Sequence, residues 1–112
     1  MSDPSQLAFV RQSKPDGPEL MRCWLQKTPA RQLPTLQKAP IVVVTGEASF
    51  HATYEHCTIK YLEQAGVNPT WMDLGRQGVH GNGHMMMLEK NSDQIADLIV
   101  RWLGKSVPAK SN

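Results

Sequence analysis

A glycine-rich segment carries the side chains of this sequence that are best suited to acid–base chemistry. Residues 78–90 read Gly-Val-His-Gly-Asn-Gly-His-Met-Met-Met-Leu-Glu-Lys, with His80 and His84 among the glycines. Histidine is the side chain that most readily accepts and returns a proton near neutral pH. Glycine permits positive φ angles and lets other groups approach the backbone closely. His84, which directly follows Gly83 and precedes an apolar run, is therefore our candidate for a general base.

The histidines and glycines also allow three other interpretations: a hydrogen bond within the loop, a zinc site and a dinucleotide-binding loop. His80 is expected to hydrogen-bond within the loop rather than to catalyse. The four histidines of the chain could share a zinc ion. Catalytic zinc sites, however, usually add carboxylate or thiolate ligands at fixed spacing on regular elements, so we predict no metal. The Gly-Asn-Gly run departs from the glycine pattern of dinucleotide-binding loops, and we expect no cofactor.

Four residues near these histidines are candidates for contact with a substrate. Ser49, Phe50 and His51 follow a predicted strand closely, at the end of the sheet where α/β proteins bind ligands. Met85 begins a run of three methionines, a residue type that fills irregular apolar space. It is expected either to pack against the core or to line a pocket for an acyl chain.

Segments with regular hydrophobic patterns must position these residues. Residues 41–45 are Ile-Val-Val-Val-Thr, a run that is typical of a strand buried on both faces. Apolar residues in 54–65 recur at helical spacing, and Gly66 ends that pattern. A shorter strand is predicted at 70–74 and a helix from Ser92 to Gly104. This strand–helix–strand–helix order predicts an α/β fold with parallel strands and right-handed crossovers.

The same patterns divide the chain into three parts. Prolines punctuate residues 1–39, which predicts an irregular segment with one possible short helix from Gly17 to about Lys27. Residues 40–104 form the α/β part, and residues 105–112 are expected to be a flexible polar tail. Two parallel strands alone leave a sheet edge unpaired. We therefore expect further strands from elsewhere, or self-association through that edge.

The composition limits the expected partners. The 112 residues carry a net charge of +2 with scattered lysines and arginines, so we expect no nucleic acid and no membrane as partner. No apolar stretch approaches the roughly 20 residues that a membrane span needs. The polar N-terminus does not resemble a signal peptide, so the compartment is unknown, with the cytoplasm as default. Cys23 and Cys57 show neither metal-binding spacing nor a disulfide framework, and Cys57 is expected to be a small buried apolar residue.

Two stretches of the chain resemble the α/β-hydrolase family. Residues 81–91, Gly-Asn-Gly-His-Met-Met-Met-Leu-Glu-Lys-Asn, are similar to the histidine loop of a bacterial serine esterase subgroup. Residues 44–51 look like the turn after the penultimate strand of that family, and 40–103 resemble its last two βα units. The resemblance implies a doubly wound, mostly parallel sheet and hydrolysis of small-molecule carboxylic esters. It also implies a serine–histidine–acid triad in which His84 is the histidine.

The other two members of the implied triad do not map onto this sequence. It contains no Gly-x-Ser-x-Gly motif for the nucleophile. The family's usual position for the acid holds Ser49, and Glu47 is a possible substitute. Related esterases take a glutamate from the preceding strand, which would lie before this chain begins. We therefore predict a C-terminal fragment of a serine-dependent carboxylic ester hydrolase, inactive alone. The alternative is a non-catalytic oligomerising or binding module derived from the same fold.

Overall fold

The computed structural model describes residues 8–107. Within this range the chain forms, in order, β1 (Phe9–Arg11), β2 (Trp24–Gln26), α1 (Pro34–Gln37), β3 (Val42–Thr45), α2 (Glu55–Gln64), β4 (Thr70–Asp73) and α3 (Ser92–Ser106). Short 3-10 turns at Phe50–Thr53 and Met86–Leu88 precede α2 and α3. The predicted flexible tail therefore begins inside α3, and its residues 108–112 lie outside the described range.

Strands β3 and β4 pair in parallel and set the position of the loops that follow them. Their register runs from Val42 opposite Thr70 to Thr45 opposite Asp73. The β-branched side chains of β3 restrict χ1 and pack well on a pleated surface, which explains why this run forms a strand. Helix α2 connects the two strands and is followed by Gly66, whose φ of +82° suits the end of a helix. Because parallel strands end at the same edge, the loops after β3 and β4 begin side by side.

The predicted doubly wound, mostly parallel sheet is wrong for the described residues. They form two separate two-stranded sheets, in which β1 pairs with β2 antiparallel and β3 pairs with β4 in parallel. Val42, Val43 and Val44 are half-buried rather than covered on both faces. A β-branched run favours a strand, but it carries no information about how many strands lie beside it or which face is covered.

The apolar core lies between the parallel pair and α3. Its buried centre is formed by Met72, Leu74, Val79 and Ile95. Helix α3 turns an apolar stripe toward this centre, with Leu98, Ile99 and Trp102 partly buried against it. The spacing of these residues is the helical one that the sequence shows after Ser92. None of the helices in the described part of the chain is long and apolar enough to cross a membrane.

The N-terminal segment forms a hairpin in place of the expected short helix. Strand β2 lies inside the stretch from Gly17 to Lys27, where the spacing predicts a helix, and pairs with β1. Gln26 attaches this hairpin to α2. Its backbone N–H donates to Gln64 Oε1 (2.9 Å), and its carbonyl oxygen accepts from Gln64 Nε2 (3.1 Å). The helix prediction fails because local spacing cannot reveal a strand partner at the other end of the segment.

A disulfide between Cys23 and Cys57 ties the same segment to α2. The two Cα atoms lie 5.2 Å apart, and Cys23 is only 1% exposed. The expectation that these cysteines form no disulfide, and that Cys57 is simply a buried apolar residue, is therefore wrong. Their separation of 34 residues matches no framework pattern, since the pairing depends on the hairpin folding against α2.

We predict that the double substitution Cys23→Ser/Cys57→Ser lowers the free energy of unfolding by about 3–4 kcal/mol, because the unfolded chain is no longer closed into a loop of this length. Urea unfolding followed by circular dichroism measures the change. Dithiothreitol provides the control, since it should lower the unfolding midpoint of the wild type and leave that of the variant unchanged. Equal midpoints for the variant and the oxidised wild type would contradict the prediction.

Candidate functional site

The loops that follow β3 and β4 touch through their backbones. Gly46, the first residue after β3, is buried, and a Cβ at this position would collide with the carbonyl oxygens of Asn82 and Gly83. Two residues later, the N–H of Ala48 donates to the Asn82 carbonyl oxygen (2.8 Å). Glycine is therefore required at position 46, because only a residue without a side chain permits so close an approach.

A partly buried hydrogen-bond network around Asn82 fixes the loop that carries His84. Asn82, which is 2% exposed, donates through Nδ2 to Asn91 Oδ1 (2.7 Å) and Glu89 Oε1 (3.1 Å). Asn91 Nδ2 donates in return to Asn82 Oδ1 (2.9 Å), and the N–H of Gly83 donates to Glu89 Oε1 (3.0 Å). The sequence analysis does not assign a role to this network. Asn82, Glu89 and Asn91 lie on the two sides of the apolar run, but their spacing in the sequence does not indicate that their side chains pair.

His84 lies on the surface beside two residues of the other loop. Its ring stacks on His51, with centroids 4.3 Å apart and planes 10° apart, and makes a tilted contact with Phe50 at 5.1 Å. The side chains of His84 and Phe50 are exposed, and that of His51 is half-buried. His51 Nδ1 lies 3.4 Å from Glu55 Oε2 on α2. The structure thus brings together three residues that the sequence analysis selects, and we call Phe50, His51 and His84 the His84 cluster.

Ser49, another expected substrate contact, sits beneath this cluster. It is 6% exposed, and its Oγ accepts a hydrogen bond from the His51 N–H (3.0 Å). The bond caps the 3-10 turn Phe50–Thr53, a common role for serine at the start of a helical turn. In the structure, Ser49 therefore positions His51.

The methionine run borders an apolar cavity. A cavity of about 320 Å³ is lined mainly by apolar groups of β3, the 3-10 turn before α3 and α3 itself, including Val44, Met86, Met87 and Ile99. Met85, the expected contact, is 56% exposed, and it is the next two methionines that line this space. The cavity has the size and polarity to take a short hydrocarbon chain.

His80 forms a hydrogen bond with Glu47, which lies in the loop after β3 and not in the loop of His80 itself. Its Nδ1 lies 2.8 Å from Glu47 Oε2, and the N–H of Gly81 donates to Glu47 Oε1 (3.1 Å). Both carboxylate oxygens of Glu47 are therefore engaged. The hydrogen bond from His80, and then that from the Gly81 N–H, hold the pKa of Glu47 below its ordinary value of 4.5.

A polar cavity of about 360 Å³ opens where β3 and β4 end. Its lining comprises Thr45, Glu47, Ala52, Trp71, Asp73, Gly75 and Arg76. Trp71 Nε1 donates to Thr45 Oγ1 (3.1 Å), and the Arg76 guanidinium lies 5.7 Å from the centre of the Trp71 ring. Glu47, the partner of His80, thus borders a space that a small polar molecule can enter.

Donor atoms close enough to share a metal ion occur, among the described residues, in the group Cys23, His56 and Cys57. Two of these residues form the disulfide. The group belongs to the hairpin and α2, so it contributes nothing to the His84 cluster.

The sequence is similar to a protein that is named as a probable lipase. Over 83 residues, which make up 74% of this chain, it is 53% identical to a probable secreted lipase, phiG, of Fungal sp. (strain ATCC 74256). This similarity supports a lipase or esterase relationship. The chain spans only 23% of the length of that lipase. No family model and no solved structure matches the sequence. The resemblance to a bacterial esterase subgroup and its histidine loop stays a prediction.

We predict that Asn82→Ala lowers the free energy of unfolding by about 1–3 kcal/mol, because it leaves the amide of Asn91 and the carboxylate of Glu89 without their buried partner. Urea unfolding measures this loss. Asn68→Ala is the matched control, since Asn68 is exposed and its removal should change stability by no more than about 0.5 kcal/mol. Similar losses for the two variants would show that the network does not stabilise the loop.

We also predict that His80→Ala raises the pKa of Glu47 toward 4.5, because the strongest hydrogen bond to its carboxylate is lost. A carboxylate with a lowered folded-state pKa stabilises the fold above pH 4.5, and that contribution disappears as the pH falls through the lower folded-state value. The wild type should therefore lose stability more steeply than His80→Ala across that range. Carbon-13 NMR titration of the Glu47 carboxyl measures the pKa directly. His84→Ala serves as control, and an equal effect of both substitutions would refute the pairing.

Proposed function

We propose that this chain is the C-terminal part of a serine-dependent carboxylic ester hydrolase and supplies its general base, His84. The observation that carries the proposal is the exposed His84 imidazole, held against His51 and Phe50 beyond the shared edge of β3 and β4. The similarity to a fungal lipase supports the same reaction class. The absence of a Gly-x-Ser-x-Gly motif from the sequence means that the nucleophile comes from polypeptide outside this chain.

The reaction assigned to this site is a two-step acyl transfer. A serine hydroxyl attacks the ester carbonyl while His84 accepts its proton, and the imidazolium then gives that proton to the departing alcohol. Water attacks the acyl-enzyme in the second step, with His84 again acting as base. Without the serine no acyl-enzyme forms, so the 112-residue chain alone has no esterase activity.

The substrate class is an ester with an apolar acyl group of modest size. The cavity bordered by Met86 and Met87 suits a short hydrocarbon chain, and the exposed rings of Phe50 and His84 offer apolar surface at the reacting end. Met85 and His51 complete this surface as substrate contacts. Ser49 acts indirectly, through its bond to the His51 backbone.

A second candidate for the base is His80. Its hydrogen bond to Glu47 forms the carboxylate–imidazole half of a triad within this chain. The Gly81 N–H binds the other carboxylate oxygen of Glu47 and holds it in place. The same ester hydrolysis would then use the polar cavity at the ends of β3 and β4. The two assignments predict opposite results for the two histidine substitutions.

A second candidate function is an oligomerising or binding module without catalysis. It is favoured by the half-buried Val42–Val44 and by exposed apolar residues of α3, of which Val100 is 63% and Leu103 44% exposed. A module of this kind gives one discrete oligomer in size-exclusion chromatography and is indifferent to His84→Ala.

A chimera tests the proposal. We predict that the fungal lipase, with its matching 83 residues replaced by those of this chain, hydrolyses p-nitrophenyl butyrate, and that His84→Ala in the chimera lowers kcat by about 10²–10⁴-fold. His80→Ala is the matched control, since it removes a histidine of the same loop, and it should retain most activity. Loss of activity in His80→Ala alone would transfer the role of base to the Glu47–His80 pair. A folded chimera whose activity survives both substitutions would refute the proposal.

A further inference from the structure

A compact group of metal-binding side chains lies between the hairpin and α2. The ligand atoms of Cys23, His56 and Cys57 all lie within 4.8 Å of one another. Cys23 is 1% and His56 7% exposed, and Cys57 is half-buried. We propose that reduction of the Cys23–Cys57 disulfide turns this group into a binding site for one Zn²⁺ ion. Asp16, whose Oδ2 lies 3.7 Å from His56 Nε2, would move toward the sulfurs to become the fourth ligand.

The position of His56 carries the proposal. Its Nε2 lies 3.6 Å from Cys57 Sγ and 3.7 Å from Asp16 Oδ2. Ligands that share a tetrahedral zinc ion at bond lengths of about 2.0–2.3 Å lie roughly 3.3–3.8 Å apart, the same spacing. The other ring nitrogen of His56, Nδ1, is buried without a hydrogen-bond partner among the described residues. Nε2 is therefore the nitrogen that faces the other ligand atoms.

The cysteines reach the required separation with little change of the backbone. Their Cα atoms are 5.2 Å apart, and two zinc-bound sulfurs lie about 3.8 Å from each other, a distance that side-chain rotation provides once the bond between them is opened. A dithiol supplies the two electrons. The protein S–S bond breaks, the reductant becomes a disulfide, and Cys23 and Cys57 become thiols. Zinc then forms two Zn–S bonds, and the two thiol protons pass to solvent.

The charges around the group suit a zinc ion. Two thiolates and the carboxylate of Asp16 bring three negative charges to Zn²⁺, which leaves one in excess. Lys60 compensates for it, since its Nζ lies 2.7 Å from Asp16 Oδ2. A ligating carboxylate that is itself hydrogen-bonded by a neighbour is the usual arrangement in zinc sites.

In this proposal the disulfide and the metal ion have the same structural role. Cys23 belongs to the segment just before β2, and His56 and Cys57 belong to α2, so either cross-link holds the hairpin against that helix. The disulfide serves under oxidising conditions and zinc under reducing ones. The proposal is independent of ester hydrolysis.

Cobalt titration of the reduced chain tests the site. The full 112-residue chain is reduced with dithiothreitol, freed of reductant without air, and titrated with Co²⁺ as a spectroscopic substitute for zinc. We expect one Co²⁺ per chain, with thiolate-to-cobalt charge transfer and the visible absorption of tetrahedral cobalt, both abolished by added Zn²⁺. The oxidised chain should show neither absorption. Octahedral cobalt, a stoichiometry other than one, or equal binding by the oxidised chain would overturn the proposal.

Substitutions assign the ligands. His56→Asn and Asp16→Asn in the reduced chain should each weaken zinc affinity by at least about tenfold, measured by competition with a chromophoric chelator. His80→Asn is the control and should bind as tightly as the wild type. Circular dichroism of the oxidised variants shows that they fold before reduction. Affinities for His56→Asn or Asp16→Asn equal to that of His80→Asn would exclude the four-residue site.

Discussion

Asn82 and Asn91 exchange amide hydrogen bonds of 2.7 and 2.9 Å in the loop that carries the candidate base. Asn82 is buried and Asn91 half-buried, and a buried amide costs free energy unless it is paired, so this exchange fixes both ends of the loop relative to each other. The Asn82 carbonyl oxygen also accepts a hydrogen bond from the Ala48 N–H, which fixes the loop after β3 against the loop that carries His84. His84 lies between Asn82 and Asn91 in the sequence, two residues after Asn82. Its backbone is thus placed by groups that take no part in acid–base chemistry, and the His84 cluster exists because two loops are held in one position.

The hairpin supports the site from further away. Its contacts with α2, through the paired amides of Gln26 and Gln64 and through the Cys23–Cys57 disulfide, restrain the helix that follows the loop after β3. Glu55, in the first turn of α2, lies 3.4 Å from His51. A chain of contacts through α2 and Glu55 therefore connects the disulfide to His51, the residue that stacks against the candidate base.

Local sequence patterns predicted the elements that bear the site. The β-branched run at Val42–Thr45 and the helical spacing after Ser92 each depend on neighbours in sequence, and both elements form. The meeting of Phe50, His51 and His84 follows from a general constraint, because the loops after parallel strands start at one edge. The sheet arrangement, β2 and the disulfide escaped prediction for a common reason. Each depends on a partner distant in sequence, and the spacing of residues contains no information about such a partner.

The sequence favours His84 over His80 as the base, but it does not show which histidine has a carboxylate partner, because that depends on where the Glu47 side chain points. Glu47 gives one oxygen to His80 and the other to the Gly81 N–H, so it is committed to His80. His84 has its plane set by a different contact, the parallel ring of His51 at 4.3 Å. Stacking covers a face of an imidazole and leaves its edge, which carries both nitrogens, open. In the proposed hydrolase, an acid and a serine hydroxyl from outside this chain would meet opposite nitrogens of the His84 ring, and the contact with His51 would hold that ring in the orientation that both partners need.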